Sequence, residues 1–138
     1  GVTMSEHQRN SRPKESRYRF LKIGINYKDR AVLYERVNRR VDAMMVQGLL
    51  DEAASVRGRA RKTAVQAIGY KELEPYFLGQ EPLDICVERL KQETRRYAKR
   101  QITWFSRDPN ILWVYPDEET SQEIFSKINC AVENFIKV

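Results

Sequence analysis

A dense cluster of positive charge lies between Arg89 and Arg107. This window contains seven lysine or arginine residues and a single acid, Glu93, so its net charge equals the +6 of the whole chain. If the window is helical, four hydrogen-bond donors fall along one side and form a basic ridge, with Lys99 and Arg95 beside it: Arg96, Arg100, Thr103 and Arg107. Such a ridge suits a polyanion whose backbone is held at several points. A solvated surface helix that binds nothing explains the charges equally well.

A second stripe of the same helix has the spacing of an anchoring face. Its members recur at intervals of three or four residues: Leu90, Thr94, Tyr97, Gln101 and Trp104. We expect this stripe to fix the helix against the rest of the fold. Trp104 has two interpretations, because a tryptophan on such a face is more often part of a core than a platform on which a base stacks.

Two smaller clusters carry polar chemistry. In the segment 66–71, Gly69 interrupts a helical pattern at a cost of about 1 kcal/mol relative to alanine. Close approach of a ligand to Gly69 explains this cost, and so does a tight helix crossing. Tyr70 offers a stacking face, and Lys71 offers a charge for phosphate.

The second of these clusters, formed by Arg36, Arg39 and Arg40, has the guanidinium forks that match phosphate oxygens. Ion pairs with Glu35 and Asp42 explain these arginines without a ligand, and from composition we prefer that explanation.

The sequence lacks a recognisable catalytic motif of its own. It contains no phosphate-loop, dinucleotide-binding, nucleophile-elbow or HExxH pattern. The single histidine, His7, lies in a polar leader, which argues against histidine catalysis and against a Cys/His zinc site. Cys86 and Cys130 are far apart in sequence, and we expect both to be reduced core thiols. We therefore predict no catalytic residue and no metal ligand within this chain.

Length and hydropathy set the class of protein. A chain of 138 residues is long enough for one domain with its own core. No apolar run reaches bilayer length and no signal peptide is visible, so we expect a soluble cytoplasmic protein without membrane attachment. The first residue is Gly1 rather than methionine, which suggests a piece cut from a longer protein.

The elements that must position these residues are mostly helical. Two strands are predicted, at Tyr18–Asn26 from its alternating pattern and at Ile111–Tyr115, which is too apolar to tolerate an exposed face. Five helices are predicted, with an Asp29 cap and a Gly48 stop on the first and with Pro75 breaking the third: 29–48, Leu49–Val56, Val65–Glu74, Pro82–Ser106 and Thr120–Val138. Because a two-stranded sheet is marginal in water, we expect both strands to belong to a larger sheet of an α/β fold.

Three motifs in order carry a family resemblance. Gln66-Ala-Ile-Gly-Tyr-Lys-Glu-Leu73 is followed by Tyr97-Ala-Lys-Arg-Gln-Ile-Thr-Trp-Phe105, and Leu33-Tyr-Glu-Arg-Val-Asn-Arg-Arg-Val-Asp42 precedes both. Together they closely resemble the tRNA dimethylallyltransferase (tRNA isopentenyltransferase) family. The resemblance covers only the C-terminal portion of that family. It identifies residues 1–138 as the C-terminal part of a catalytic domain with a P-loop-like α/β fold, whose N-terminal P-loop half is absent.

The resemblance implies a specific reaction. These enzymes transfer a dimethylallyl group from dimethylallyl diphosphate to N6 of the adenosine 3′ of the tRNA anticodon. The family's P-loop-like half binds the diphosphate with Mg²⁺ and supplies an aspartate as general base. This half also underlies the family's description as nucleotide-binding (ATP-binding). The present chain would then grip the anticodon stem-loop, complete the active site and be inactive alone. The complete enzyme is expected to be a monomer.

The resemblance also implies site residues. Two segments correspond to tRNA contacts: Gln66, Ala67, Ile68, Gly69, Tyr70 and Lys71, then Lys99, Arg100, Gln101, Ile102, Thr103 and Trp104. Arg40 matches an arginine that the family places near the donor diphosphate, and Arg36 lies one turn earlier. Where the family often has a basic residue, position 106 is serine, and we expect Arg107 to take over that contact.

Two other functions remain open from the residues. A non-catalytic RNA-binding module fits a chain that carries charge without a catalyst. A regulatory piece of another P-loop phosphotransferase is the third hypothesis, and it predicts nucleotide-dependent kinase activity that does not depend on tRNA.

Overall fold

The computed structural model describes residues 3–4, 18–57 and 67–137. These residues form two short strands and five helices along the chain: β1 (Lys22–Ile25), α1 (Arg30–Val46), α2 (Leu49–Val56), α3 (Glu74–Phe77), α4 (Leu83–Phe105), β2 (Ile111–Val114) and α5 (Ser121–Lys137). The predicted pattern of many helices and two strands is confirmed. No described helix is long and apolar enough to span a bilayer.

The first helix begins and ends where its sequence predicts. The Asp29 carboxylate accepts a hydrogen bond from the Ala31 N–H at 2.8 Å, which satisfies one of the donors left unpaired at a helix start. At the other end Gly48 has a φ of +98°, a left-handed conformation that glycine adopts readily. This residue turns the chain directly into α2.

The core lies between α1, α2, α3 and the first half of α4. Its buried members are Val41, Leu49, Ala53, Leu73, Cys86 and Leu90. The prediction of a buried thiol is confirmed at Cys86, and burial raises the pKa of this thiol. The same prediction is wrong for Cys130, which is exposed because α5 buries none of its residues.

The two strands pair with each other in parallel. Lys22 lies opposite Ile111, and Ile25 lies opposite Val114. Val114 is buried, whereas the Ile25 side chain is 67% exposed. The strands are held close by Gly24, where an added Cβ would lie 2.6 Å from the Trp113 ring. Within the described residues this sheet has two strands and leaves apolar surface of β1 uncovered.

The predicted helix Val65–Glu74 is wrong over its described part. Residues 67–73 form turns, because Gly69 has a φ of +109° that a right-handed helix does not permit. Pro75 does not break a helix here, since it lies in the first turn of α3, where a missing N–H costs nothing. Residues 65 and 66 lie outside the described part of the chain.

The last helix is attached to β2 through a lysine. The Lys127 ammonium donates to the Trp113 carbonyl at 2.9 Å and to the Glu119 carboxylate at 2.7 Å. Thr120 and Glu123 close the start of α5 through reciprocal hydrogen bonds. The four residues predicted to face inward are only half-buried: Ile124, Ile128, Ala131 and Phe135. This helix therefore lies at the margin of the described fold.

Candidate nucleic-acid interface

The second half of α4 extends beyond the core. Leu90 is 1% exposed, but Tyr97 is 46% exposed and Trp104 is 66% exposed. The predicted anchoring stripe is therefore wrong for its later members, Tyr97, Gln101 and Trp104. It anchors the helix through Leu90 and the half-buried Thr94, because no described element covers the turns that follow.

The basic window divides into an anchoring part and an unpaired part. Three cations hold α4 to neighbouring segments. Arg89 pairs with Glu81 at 2.6 Å, and Lys91 pairs with Asp42 of α1 at 2.8 Å. Hydrogen bonds to Asp42 and Glu88 raise the pKa of Lys91, so its charge is firmly retained.

The third anchoring cation is Arg95, whose guanidinium donates to the Asn38 amide oxygen at 2.5 Å. Arg95 was predicted beside the basic ridge, but this bond directs it to α1. The anchoring part of the window therefore ends near the middle of α4.

The second part of the window, in which most cations lack an ion pair within the described residues, forms the outer end of the ridge. The residues Arg96, Lys99, Arg100, Thr103, Trp104 and Arg107 line one shallow depression. Of its cations, Arg96 pairs with Glu93, whereas Lys99, Arg100 and Arg107 form no ion pair within the described residues. Arg100 lies over the Tyr97 ring at 5.8 Å. Unneutralised guanidinium and ammonium groups beside exposed aromatic rings are what a nucleic-acid backbone and its bases require.

Trp104 does not belong to the core of the described chain, so the core interpretation of this residue is wrong. Its indole and the Phe105 ring stand nearly perpendicular, with centroids 4.9 Å apart, and the Trp104 residue is 66% exposed. Position 106 is the serine at which the resemblance leads one to expect a basic residue. The Ser106 hydroxyl donates to the Ile102 carbonyl at 2.7 Å. Ser106 thus terminates α4, while Arg107 lines the depression.

The other predicted contact segment lies against the core. Gln66 falls outside the described residues, whereas Ile68 and Tyr70 are partly buried against the core cluster. The Tyr70 hydroxyl donates to the Glu52 carboxylate at 2.5 Å, and this hydrogen bond, with burial, raises the pKa of the phenol. Lys71 keeps a partly exposed ammonium, 3.4 Å from a Glu72 oxygen.

Gly69 is required for a different reason from the one expected. An added Cβ would meet only Leu49 Cδ1, at an ordinary 3.9 Å, so no backbone or helix crosses closely there. The predicted tight helix crossing at Gly69 is therefore wrong. The requirement comes from the φ of +109°, which side chains with a Cβ rarely adopt.

The two contact segments lie at different levels along α4. The segment 67–71 packs against the cluster that contains Leu90, and the segment 99–104 begins nine residues later on the same helix. At a rise of about 1.5 Å per residue, these levels are separated by roughly 14–21 Å along the helix axis. The two segments are therefore not adjacent along α4.

Arg36 of α1 lies near the carboxyl end of β1. The Arg36 guanidinium sits over the ring of Tyr27, 5.3 Å from its centroid, and Tyr27 follows β1 closely. Arg40 is exposed one turn further along. Within the part of the chain that the structure describes, the preferred explanation by ion pairs holds only for Arg39, which pairs with Glu35 at 3.5 Å, since Asp42 is engaged by Lys91. In open α/β folds, ligands bind at this edge of the sheet.

Sequence reasoning missed two acids that bind the segment 66–71, namely Glu52 and Glu72. Glu72 accepts the Gly69 N–H, and its position three residues after a glycine is a signal for a side-chain-closed turn. The bond from Tyr70 to Glu52 joins residues 18 apart, and no local pattern indicates it.

Comparison with known proteins decides the family. The family model for IPP transferase matches residues 1–108. The chain belongs to the IPP transferase family. This result confirms the resemblance seen in the three ordered motifs, and the IPP transferase match includes Arg36, Arg40 and both predicted contact segments. It ends before β2 and α5.

Individual relatives agree with the IPP transferase assignment. A tRNA dimethylallyltransferase of Lactobacillus johnsonii is 47% identical over 133 residues, which are 94% of this chain and 42% of the relative. The tRNA dimethylallyltransferase 1 of Bacteroides fragilis is 42% identical over 125 residues, with coverages of 91% and 40%. The chain thus spans about two fifths of the length of the curated relatives it matches.

Solved IPP transferase structures share the fold. The full-length tRNA isopentenylpyrophosphate transferase of Bacillus halodurans superposes with a TM-score of 0.75 at 38% identity, covering 96% of this chain and 42% of that one. The tRNA delta(2)-isopentenylpyrophosphate transferase of Staphylococcus epidermidis also has a TM-score of 0.75, at 39% identity, with coverages of 83% and 38%.

Proposed function

We propose that this chain is the tRNA-gripping and active-site-completing part of a tRNA dimethylallyltransferase. The reaction transfers the dimethylallyl group of dimethylallyl diphosphate to N6 of the adenosine 3′ of the anticodon. The names of the relatives support this reaction. The observation that carries the gripping role is the outer end of α4, where Lys99, Arg100 and Arg107 lack ion pairs within the described residues and surround the exposed Trp104.

The chemistry explains why such a grip is needed. An exocyclic adenine amine is a weak nucleophile, and the base must leave its stack to reach an allylic carbon, at a cost of a few kcal/mol. Phosphate contacts along α4 hold the stem-loop while the base is extruded, and an aromatic face such as Trp104 replaces lost stacking. Lys71 adds a cation at the other level of the surface.

The donor is proposed to bind at the carboxyl edge of the sheet. The family resemblance assigns diphosphate binding to Arg36 and Arg40, which both belong to α1. A guanidinium can hold two oxygens of the leaving diphosphate at once. Loss of the diphosphate builds negative charge on these oxygens as the carbon–oxygen bond breaks. Fixed positive charge there stabilises the transition state.

The rest of the active site is proposed to come from an N-terminal half with a P-loop-like fold. Two features support this. Apolar residues of β1 are exposed, and an open groove of about 1120 Å³ runs between the sheet and the end of α4, lined by Ile23, Ile25, Trp104 and Phe105 among others. Further strands beside β1 would make the sheet larger and cover the exposed apolar residues of β1.

Magnesium and the general base are assigned to that same half. The described residues do not fit a magnesium site, because they contain no group of three or more residues that could hold a metal ion. We further propose that the complete protein is a cytoplasmic monomer. Its partners would be the tRNA anticodon stem-loop and dimethylallyl diphosphate.

Reconstitution tests this function. The N-terminal half and this chain are mixed with dimethylallyl diphosphate, Mg²⁺ and an anticodon stem-loop RNA, and prenylated adenosine is measured by mass spectrometry. We expect product only when both parts are present. RNA binding without any transfer would favour the non-catalytic module, and kinase activity that ignores tRNA would favour another phosphotransferase.

A further inference from the structure

A buried carboxylate lies inside the turn between α2 and α3. The Glu72 side chain is 2% exposed, and its Oε2 accepts a hydrogen bond from the Gly69 N–H at 2.9 Å. Its other oxygen, Oε1, lies 3.4 Å from the Lys71 ammonium but accepts no hydrogen bond from the described residues. Burying a carboxylate is costly unless its oxygens are well paired, so this half-satisfied group calls for an explanation.

The turn explains what Glu72 contributes. Backbone bonds of this turn run from the N–H groups of Tyr70 and Leu73 to the carbonyls of Ala67 and Tyr70, at 3.2 Å and 3.1 Å. The Gly69 N–H belongs to a buried residue with a left-handed φ, and Glu72 supplies its acceptor. Because a buried donor without an acceptor is costly, Glu72 stabilises the orientation of the Gly69 peptide.

Two other contacts fix the residues that follow Gly69. The Tyr70 hydroxyl is bound to Glu52, and the Leu73 side chain is fully buried in the core. Together with Glu72, these contacts hold the segment 69–73 at three points. The side chain left to face outward is Lys71, which is 43% exposed. The arrangement thus presents a single cation from a rigid turn.

We propose that Glu72 is a positioning residue for tRNA binding: it holds the Gly69 turn so that Lys71 is presented to the RNA backbone, and it does not itself touch the RNA. This inference rests on the proposed function, because it takes Lys71 as an RNA contact. A preorganised cation binds without first losing the freedom of a mobile turn. Glu72 therefore acts on affinity through Lys71.

A double-mutant cycle in the full-length protein tests this role. The probe is a fluorescein-labelled anticodon stem-loop RNA, and affinity is read from fluorescence anisotropy. In the wild-type background, Lys71→Ala should weaken binding about tenfold, as expected for a lost charge-assisted contact. In the Glu72→Ala background, the same substitution should weaken binding less than twofold further, because Lys71 is no longer positioned. An equal loss in both backgrounds would overturn the proposal.

Glu72→Gln keeps the test valid if Glu72→Ala fails to fold. The amide oxygen of glutamine still accepts the Gly69 N–H, so we expect affinity within twofold of wild type and a full tenfold effect of Lys71→Ala. A Glu72→Gln protein that melts like wild type but binds RNA more than fivefold worse contradicts the positioning role, since only the charge has been removed.

Kinetics separate positioning from a merely structural role. The KM for the RNA should rise in Glu72→Ala while the KM for dimethylallyl diphosphate stays unchanged, whereas general destabilisation moves both. If wild-type protein bound no RNA, the proposed function would fall together with this inference. If wild type binds and Lys71→Ala costs the same in both backgrounds, only the role of Glu72 is refuted.

Discussion

Replacing Arg100 with alanine should change how RNA affinity depends on salt. Arg100 lies on the exposed ridge without an ion pair within the described residues, and its guanidinium lies over the Tyr97 ring, 5.8 Å from the centroid. An exposed cation–π contact contributes about 0.5–1 kcal/mol, so the variant should fold normally. If Arg100 neutralises one RNA phosphate, its loss removes one released counterion from the binding equilibrium.

The magnitude follows from the counterion relation. Each phosphate contact contributes roughly 0.7–0.9 to the slope of log affinity against log salt. Arg100→Ala should flatten the slope by that amount. Over a fourfold rise in salt, from about 50 to about 200 mM, wild-type affinity should fall about threefold more than that of the variant.

Lys137→Ala is the matched control, because it removes one exposed cation from α5, away from the ridge. Affinity for the anticodon stem-loop RNA is measured at four or more salt concentrations for wild type and both variants. We expect a flatter slope for Arg100→Ala and an unchanged slope for Lys137→Ala. The reasoning is refuted if Arg100→Ala keeps the wild-type slope, or if both variants flatten it equally.

Three further changes have defined outcomes. Arg40→Ala in the full-length enzyme should mainly raise the KM for dimethylallyl diphosphate; a change confined to RNA affinity would show that the diphosphate role is wrong. Gly24→Ala should lower the free energy of unfolding by about 1–3 kcal/mol, because the new methyl overlaps the Trp113 ring; a urea melt equal to wild type would contradict this packing. The hydrogen bond from Lys22 lowers the pKa of Asp108, so their pair stabilises the fold above the unfolded pKa of about 4 and is lost as pH falls through the lower folded value. In urea melts, the free energy of unfolding of Asp108→Asn should depend less on acidic pH than that of wild type. An unchanged pH profile would exclude this contribution.

Local signals predicted the helices well where a short motif determines the geometry. Asp29 and Gly48 marked both ends of α1, and the expected helix Leu49–Val56 matches α2. The same reasoning failed at Gly69, because an apolar period does not reveal that one residue has a left-handed φ. It also failed to place Cys130, since the burial of α5 depends on elements that cover it and not on its own pattern.

The sequence predicted only part of the candidate interface. The window from Arg89 to Arg107 is plainly basic, but the sequence does not show which cations are neutralised. That depends on residues distant in sequence, such as Asp42, which pairs with Lys91, and Asn38, which binds Arg95. Periodicity likewise indicated a stripe that includes Trp104, without showing that the core ends near Leu90. The positions of charged and apolar residues along a helix can be read from the local sequence, whereas the residues that they contact are determined by tertiary packing.

Radical footprinting measures the central claim most directly, which is that the outer end of α4 binds the anticodon stem-loop. Trp104 and Phe125 have nearly equal exposure, at 66% and 68%, but lie on α4 and α5 respectively. The full-length protein is oxidised with and without saturating stem-loop RNA, and modification of both residues is quantified by mass spectrometry. The account predicts that RNA protects Trp104 and leaves Phe125 unchanged. Equal oxidation of Trp104 in the free and RNA-saturated protein would contradict it.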